Sequence, residues 1–192
     1  QHMLRTRRVV NAAGAWAAEL DSRISLVRSR GTHLVVRAAA LGNPTAALMV
    51  AVPGSVSRFV FALPQPEGLV FIGLTDVETD APLDEPQADQ EEIDFLLETI
   101  NRALTTPLTH DDILSTYSGY RPLLAASDHP SADLSRRHAV IDGDTVSIVG
   151  GKLTTYRRMA EDAVDLLTDR PCQTRRLPLM GAQPWTPGAD RL

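Results

Sequence analysis

Two glycines and a lysine stand between an apolar run and a helical pattern in VSIVGGKLTTYRRMAEDAVDLL, Val146–Leu167. Glycines let a backbone approach a ligand closely and adopt conformations other residues avoid. A helix starting near Thr155 would present unsatisfied N–H groups and a partial positive charge of about half a unit. Such a helix start can hold a phosphate or a carboxylate, and Lys152 adds a movable full charge. The same residues also make a tight strand-to-helix turn with Thr154 or Thr155 as N-cap.

Four further stretches carry possible chemistry. In YSGYRPLL, Tyr117–Leu124, Arg121 follows an apolar strand. A guanidinium there is either the fork for a carboxylate or phosphate or one half of a structural ion pair. In SRGTHLVV, His33 opens a hydrophobic strand. It suits general-base work if it lines a pocket and is otherwise a hydrogen-bonded core residue. FIGLTDVE, Phe71–Glu78, ends a strand with Thr75 and Asp76, where a local side-chain turn is the plain expectation. VVNAAG, Val9–Gly14, is a turn of small residues suited to compact packing or to backbone contact with a cofactor. His110, His129 and His138 are read as surface or structural.

These residues need elements to hold them. Short strands are expected at Arg8–Asn11 and Thr32–Val36, then at Ala47–Val52, Arg58–Leu63 and Leu69–Leu74, the last three punctuated by Pro and Gly as in an antiparallel meander. ADQEEIDFLLETINRAL, residues 88–104, has Ile93, Leu96, Leu97, Ile100 and Leu104 at helical spacing and acids in its first turn. Ile113–Tyr120 reads as a strand, and His138–Asp142 with Thr145–Val149 as a hairpin about Gly143. The pattern is α+β: a mostly antiparallel sheet packed with helices, plus a strand–helix piece at each end.

The bulk numbers narrow the classes. A chain of 192 residues can bury a core unaided, and a net charge of −5 argues against a nucleic-acid partner. One cysteine, Cys172, allows no internal disulfide and fits a reducing cytoplasm. Gln1-His2-Met3 is expected to be a cloning remnant. No G-x-G-x-x-G run is present, although that fingerprint announces a dinucleotide-binding fold.

Taken in order, the motifs resemble the respiratory, FAD-dependent glycerol-3-phosphate dehydrogenases. The matching pieces are Asn11-Ala12-Ala13-Gly14-Ala15-Trp16, Arg30-Gly31-Thr32-His33, Ile72-Gly73-Leu74-Thr75-Asp76, Ser118-Gly119-Tyr120-Arg121-Pro122-Leu123 and Gly150 through Arg157. Ala15 stands where proline is common in that family, and Arg30 replaces a lysine. The resemblance implies an excised middle of a larger enzyme. Residues 4–28 and 145–170 would be pieces of a Rossmann-type FAD-binding domain whose fingerprint lies upstream. Residues 29–144 would be the substrate-binding domain, and 171–192 a linker toward a helical domain.

It also implies a reaction: oxidation of sn-glycerol 3-phosphate to dihydroxyacetone phosphate, with hydride passing to FAD and electrons to a quinone. Arg121 and Lys152 would bind substrate and act in catalysis, with Arg136 and Thr154 as further substrate contacts. His33 would be the base or would orient the hydroxyl. Ala12, Ala13, Gly14 and Trp16, with Gly150, Gly151, Lys152, Leu153 and Thr154, would touch FAD. A cytoplasmic protein, peripheral on the inner membrane face, and a homodimer are the further expectations. The alternatives are an amino-acid or 2-hydroxy-acid oxidase of the same architecture, or, for the isolated piece, a non-catalytic anion-binding domain.

Overall fold

A computed structural model describes residues 3, 5–79, 86–125 and 137–182. The chain divides into two units, Gln1–Ala12 with Arg137–Leu192, and Ala13–Arg136. The sequence-based division placed its boundaries after residues 28 and 144 instead. Residues 13–28 cluster with the second unit partly because Arg28 Nε donates to the Ala15 carbonyl at 3.0 Å, tying the first turn to the long strand behind it.

In the second unit the strands are β2 (Leu26–Arg37), β3 (Leu48–Ala51), β4 (Phe59–Gln65), β5 (Leu69–Gly73), β6 (Val77–Thr79) and β7 (Ile113–Leu124). Strands β3, β4 and β5 form the expected meander and continue onto β2, with every pairing antiparallel. Strand β2 is the hub. It pairs with β5 and β6 along one edge and with β7 along the other.

It is also twice as long as Thr32–Val36. Its first half, LVRSRG, shows no alternation of apolar and polar residues, the signal that marks a half-buried strand. It is a strand because neighbours on both sides complete its backbone hydrogen bonding. Strand β7 likewise runs on through Pro122, opposite Arg28. Among the described residues β7 pairs only with β2, and an edge strand tolerates a residue without an N–H.

After the one-turn helix α1 (Ala17–Leu20), helix α2 (Gln90–Asn101) covers one face of this sheet. Asp89 caps it in a reciprocal box with Glu92, and Leu96, Leu97 and Ile100 pack on Leu34, Val36, Val60, Ala62, Val70 and Ile72. Within this apolar layer lies a carboxylate. Glu92 is 3% exposed, accepts from Arg30 Nε at 2.8 Å and from the Thr75 hydroxyl at 2.6 Å, and closes the cap on the Asp89 N–H at 3.3 Å. Arg30 also pairs with Asp89. Thr75 Oγ1 in turn accepts from the Thr32 N–H at 2.8 Å, and the Thr32 hydroxyl meets that of Ser118 at 2.8 Å.

The first unit holds β1 (Val9–Asn11), β8 (Ala139–Ile141) and β9 (Thr145–Val149) in the order β1-β9-β8. Strands β8 and β9 are the expected hairpin. Strand β1 pairs with β9 in parallel, Asn11 opposite Ser147, across some 130 intervening residues. Helix α3 (Tyr156–Val164) packs on β9 through Ala163, beside buried Val146 and Val149.

Removing one partner of a buried ion pair leaves the other uncompensated. Glu92→Ala is therefore expected to destabilise the chain by about 3–5 kcal/mol, and Glu92→Gln by less. Urea unfolding followed by circular dichroism measures this, and an unchanged midpoint for the alanine variant would contradict the role of the network.

Candidate functional site

The face of β2 turned away from α2 is different in kind. By strand alternation it carries Ser29, Gly31 and His33; facing positions on β7 are Arg121, Gly119 and Tyr117, and β5 adds Phe71 and Gly73. Three of these eight positions are glycines, so the face has a floor with few side chains.

The polar groups on this face are held by contacts distant in sequence. The Arg121 guanidinium lies over Gly31, where a Cβ would come within 2.7 Å of Nη1. It donates to Ser29 Oγ at 3.3 Å and pairs with Asp76 Oδ1 at 3.7 Å. The Ser29 hydroxyl also donates to Asp76. Asp76 and Thr75 thus reach across the unit, Asp76 to this face and Thr75 to the Glu92 network. Arg121 therefore has the structural ion pair that was one of its two readings.

His33 stacks on Tyr117, with ring centroids 4.7 Å apart and planes 4° from parallel, and Phe71 meets the Tyr117 ring edge-on. A Cβ at Gly73 would come within 2.7 Å of His33 Nε2. His33 Nδ1 is buried with no hydrogen-bond partner among the described residues, an uncommon state for a polar atom in a folded protein. Burial first, and the Arg121 charge second, push the His33 pKa below its ordinary 6.5. The ring is neutral at pH 7.

In the first unit the GGKLTT segment forms the expected turn. Gly150 and Gly151 have φ of +73° and +81°, a left-handed backbone that glycine adopts without strain. Packing alone also demands glycine here: a Cβ on Gly150 would lie 2.7 Å from the Arg137 carbonyl oxygen, and one on Gly151 would meet Met159 and, at 3.3 Å, His138. His138 hydrogen-bonds Asp162 on α3 at 2.7 Å, holding that carboxyl below the ordinary carboxylate range. This structural role matches the sequence reading of His138. His110 is likewise paired at the surface, with Asp94 at 2.8 Å, while His129 lies outside the described residues.

Beyond the glycines a short 3-10 turn, Leu153–Thr155, leads into α3. Thr155 bonds locally, accepting from the Lys152 N–H at 3.0 Å and donating to its carbonyl at 2.9 Å. Lys152, Leu153 and Thr154 are exposed, Leu153 at 88%. The N–H groups of Gly151, Leu153 and Thr154 have no protein acceptor among the described residues.

At the other candidate turn, Ala12 closes the first unit and Ala13 opens the second. Gly14 has φ of +59°, and a Cβ there would face open space; Trp16 ends a 3-10 turn and is half exposed. Arg136 lies outside the described residues. Ser29, Asp76, Tyr117 and Gly119 were not singled out as site residues from the sequence. Spacing by two along β2 and β7 is the signal that would have grouped Ser29, Tyr117 and Gly119 with His33 and Arg121.

The model of the FAD dependent oxidoreductase family matches residues 2–157. The chain belongs to that family. Glycerol-3-phosphate dehydrogenase 1 of Mycobacterium tuberculosis (strain ATCC 25618 / H37Rv) is 47% identical over 198 residues, covering 96% of this chain and 38% of that protein. The aerobic glycerol-3-phosphate dehydrogenase of Bacillus subtilis (strain 168) is 30% identical over 200 residues, 94% of this chain and 35% of that one. The solved structure of glycerol-3-phosphate dehydrogenase from Bacillus halodurans complexed with FAD superposes with a TM-score of 0.72 at 33% identity, covering 90% of this chain and 35% of that one. The chain thus spans little more than a third of the length of the curated relatives it matches.

In the first unit, the positive-φ Gly150 and Gly151 and the N–H groups of Gly151, Leu153 and Thr154, without an acceptor among the described residues, are the features that a close backbone approach to an anionic cofactor such as FAD requires.

Two outcomes follow from this geometry. His33 will titrate below 6.5 in an NMR pH series. Its folded pKa is depressed, so its contribution to stability is complete above 6.5 and is lost as pH falls toward the folded value; replacing His33 with Gln removes that part of the acid sensitivity. Gly31→Ala will keep the fold, because the group it displaces is the flexible end of Arg121. It will break the Arg121 contacts with Ser29 and Asp76, read as a changed Arg121 side-chain NMR signal with an unfolding midpoint near the parent's.

Proposed function

We propose that the chain is the substrate-handling part of a flavoenzyme that oxidises sn-glycerol 3-phosphate to dihydroxyacetone phosphate. The reading is carried by one conjunction: 47% identity to a glycerol-3-phosphate dehydrogenase in a chain whose sheet face sets a neutral imidazole and a guanidinium over a glycine floor. FAD, when bound, supplies the hydride acceptor for the C2 hydrogen. Arg121 binds the phosphate dianion with charge-assisted hydrogen bonds. His33 Nε2 contacts the C2 hydroxyl, orients it and takes its proton, as a neutral imidazole can. Lys152, Arg136 and Thr154 are assigned as further contacts to the anionic substrate. Ala12, Ala13, Gly14, Trp16, Gly150, Gly151, Lys152, Leu153 and Thr154 are assigned to hold FAD.

A quinone as electron acceptor, cytoplasmic placement on the inner face of the cell membrane and a homodimer belong to the same proposal. The membrane association proposed is peripheral. No helix among the described residues is long and apolar enough to cross a membrane. Residues 29–144 are assigned to substrate binding, with 4–28 and 145–170 completing an FAD-binding domain.

The test uses the intact flavoprotein that contains this chain. Under anaerobic conditions sn-glycerol 3-phosphate should bleach the flavin absorption band, whereas glycerol and lactate should not. Bleaching by lactate or an amino acid instead would hand the reaction to a sister oxidase. Arg121→Ala should raise KM and lower kcat/KM by roughly 10- to 100-fold, the value of one charged hydrogen-bonding group; an unchanged kcat/KM would remove Arg121 from the substrate.

A further inference from the structure

Gly31 and Gly119 face each other across β2 and β7, between the His33–Tyr117 pair and the Ser29–Arg121 pair. The two glycines are used differently. The space above Gly31 is filled by the Arg121 guanidinium, whereas nothing among the described residues lies within 4 Å of a Cβ built on Gly119. Gly119 has no left-handed backbone that would explain a glycine, and no neighbour among the described residues that a side chain would strike. Among the described residues neither conformation nor packing accounts for it.

What remains is the notch itself. One wall is the stacked His33–Tyr117 pair, Tyr117 being the next same-face residue to Gly119 on β7. The other wall is the guanidinium over Gly31. Successive same-face positions on a strand lie about 7 Å apart, so the two polar walls stand a short ligand's length from each other. We propose that Gly119 is the specificity-determining residue of the substrate site: its missing side chain seats the carbon backbone of a small phosphorylated polyol between His33 and Arg121, and the volume at position 119 sets the largest substrate admitted.

This deepens the glycerol 3-phosphate reading and rests on it. A substituent at 119 obstructs the ligand without touching the cation or the imidazole. Because the space is open and the backbone ordinary, Ala and Val are compatible with the fold.

The experiment is steady-state kinetics and anaerobic flavin reduction on the intact holoenzyme as wild type, Gly119→Ala and Gly119→Val. The expected result is a graded loss with side-chain volume. KM for sn-glycerol 3-phosphate rises about 10-fold for Ala, and kcat/KM falls more than 100-fold for Val, with FAD content and Tm at wild-type values. A merely structural role would move Tm and FAD content and would not follow volume. If Gly119→Val fails to fold, KM of Gly119→Ala decides: a value within twofold of wild type overturns the assignment. A wild type that glycerol 3-phosphate bleaches, with both variants responding equally, overturns this assignment alone. A wild type that it does not bleach overturns the substrate class and this assignment with it.

Discussion

A carboxylate enclosed by a sheet and a helix must be neutralised, and the second unit is organised around meeting that demand at Glu92. An unpaired buried charge costs several kcal/mol; Glu92 avoids this with one guanidinium, one hydroxyl and one backbone N–H. Each donor comes from a different place: Arg30 from β2, Thr75 from the end of β5, Asp89 from the cap of α2. Satisfying one carboxylate therefore fixes helix, hub strand and strand corner together. The consequence reaches the other side of the sheet. Thr75 is held by Glu92 and the Thr32 N–H, so its neighbour Asp76 is delivered to Ser29 and Arg121. The cap of a helix on one face thereby helps position the arginine on the other.

Strand β2 divides these tasks by parity. Even positions, Arg30, Thr32, Leu34 and Val36, serve the core and its polar network. Odd positions, Ser29, Gly31 and His33, serve the opposite face. Glycine weakens a strand, having no side chain to pack; Gly31 lies between the β6 and β5 pairings of β2 and is held in the ladder by Gly119 of β7. The three glycines on that face do three things: Gly31 accommodates a guanidinium, Gly73 leaves room for an imidazole, and Gly119 leaves a space.

Much of this was legible in the sequence where one physical signal dominates. The meander, the 88–104 helix and the final hairpin follow from apolar periodicity punctuated by Pro and Gly, and the GGKLTT turn from glycines before a helical pattern. The first half of β2 was not legible, since polar residues on both faces erase the alternation that marks a strand. Nor was the partnership of Thr75 and Asp76, because a local turn and a tertiary bond use the same residue types and differ only in what the fold brings near. Arg30 could be seen as a charge but not as the counter-ion of a glutamate 62 residues away.

Charge balance on the sheet face carries the argument one step further. A guanidinium set against a sheet with 21% of its side chain exposed needs an anion nearby when no ligand is present, and Asp76 supplies it at 3.7 Å. At that distance the contact is Coulombic. A phosphate brings several acceptor oxygens, which suit the planar fork of a guanidinium with charge-assisted bonds. Asp76 thus stabilises the arginine in place. It also cancels much of the local positive charge, so affinity for a dianion cannot rest on Arg121 alone.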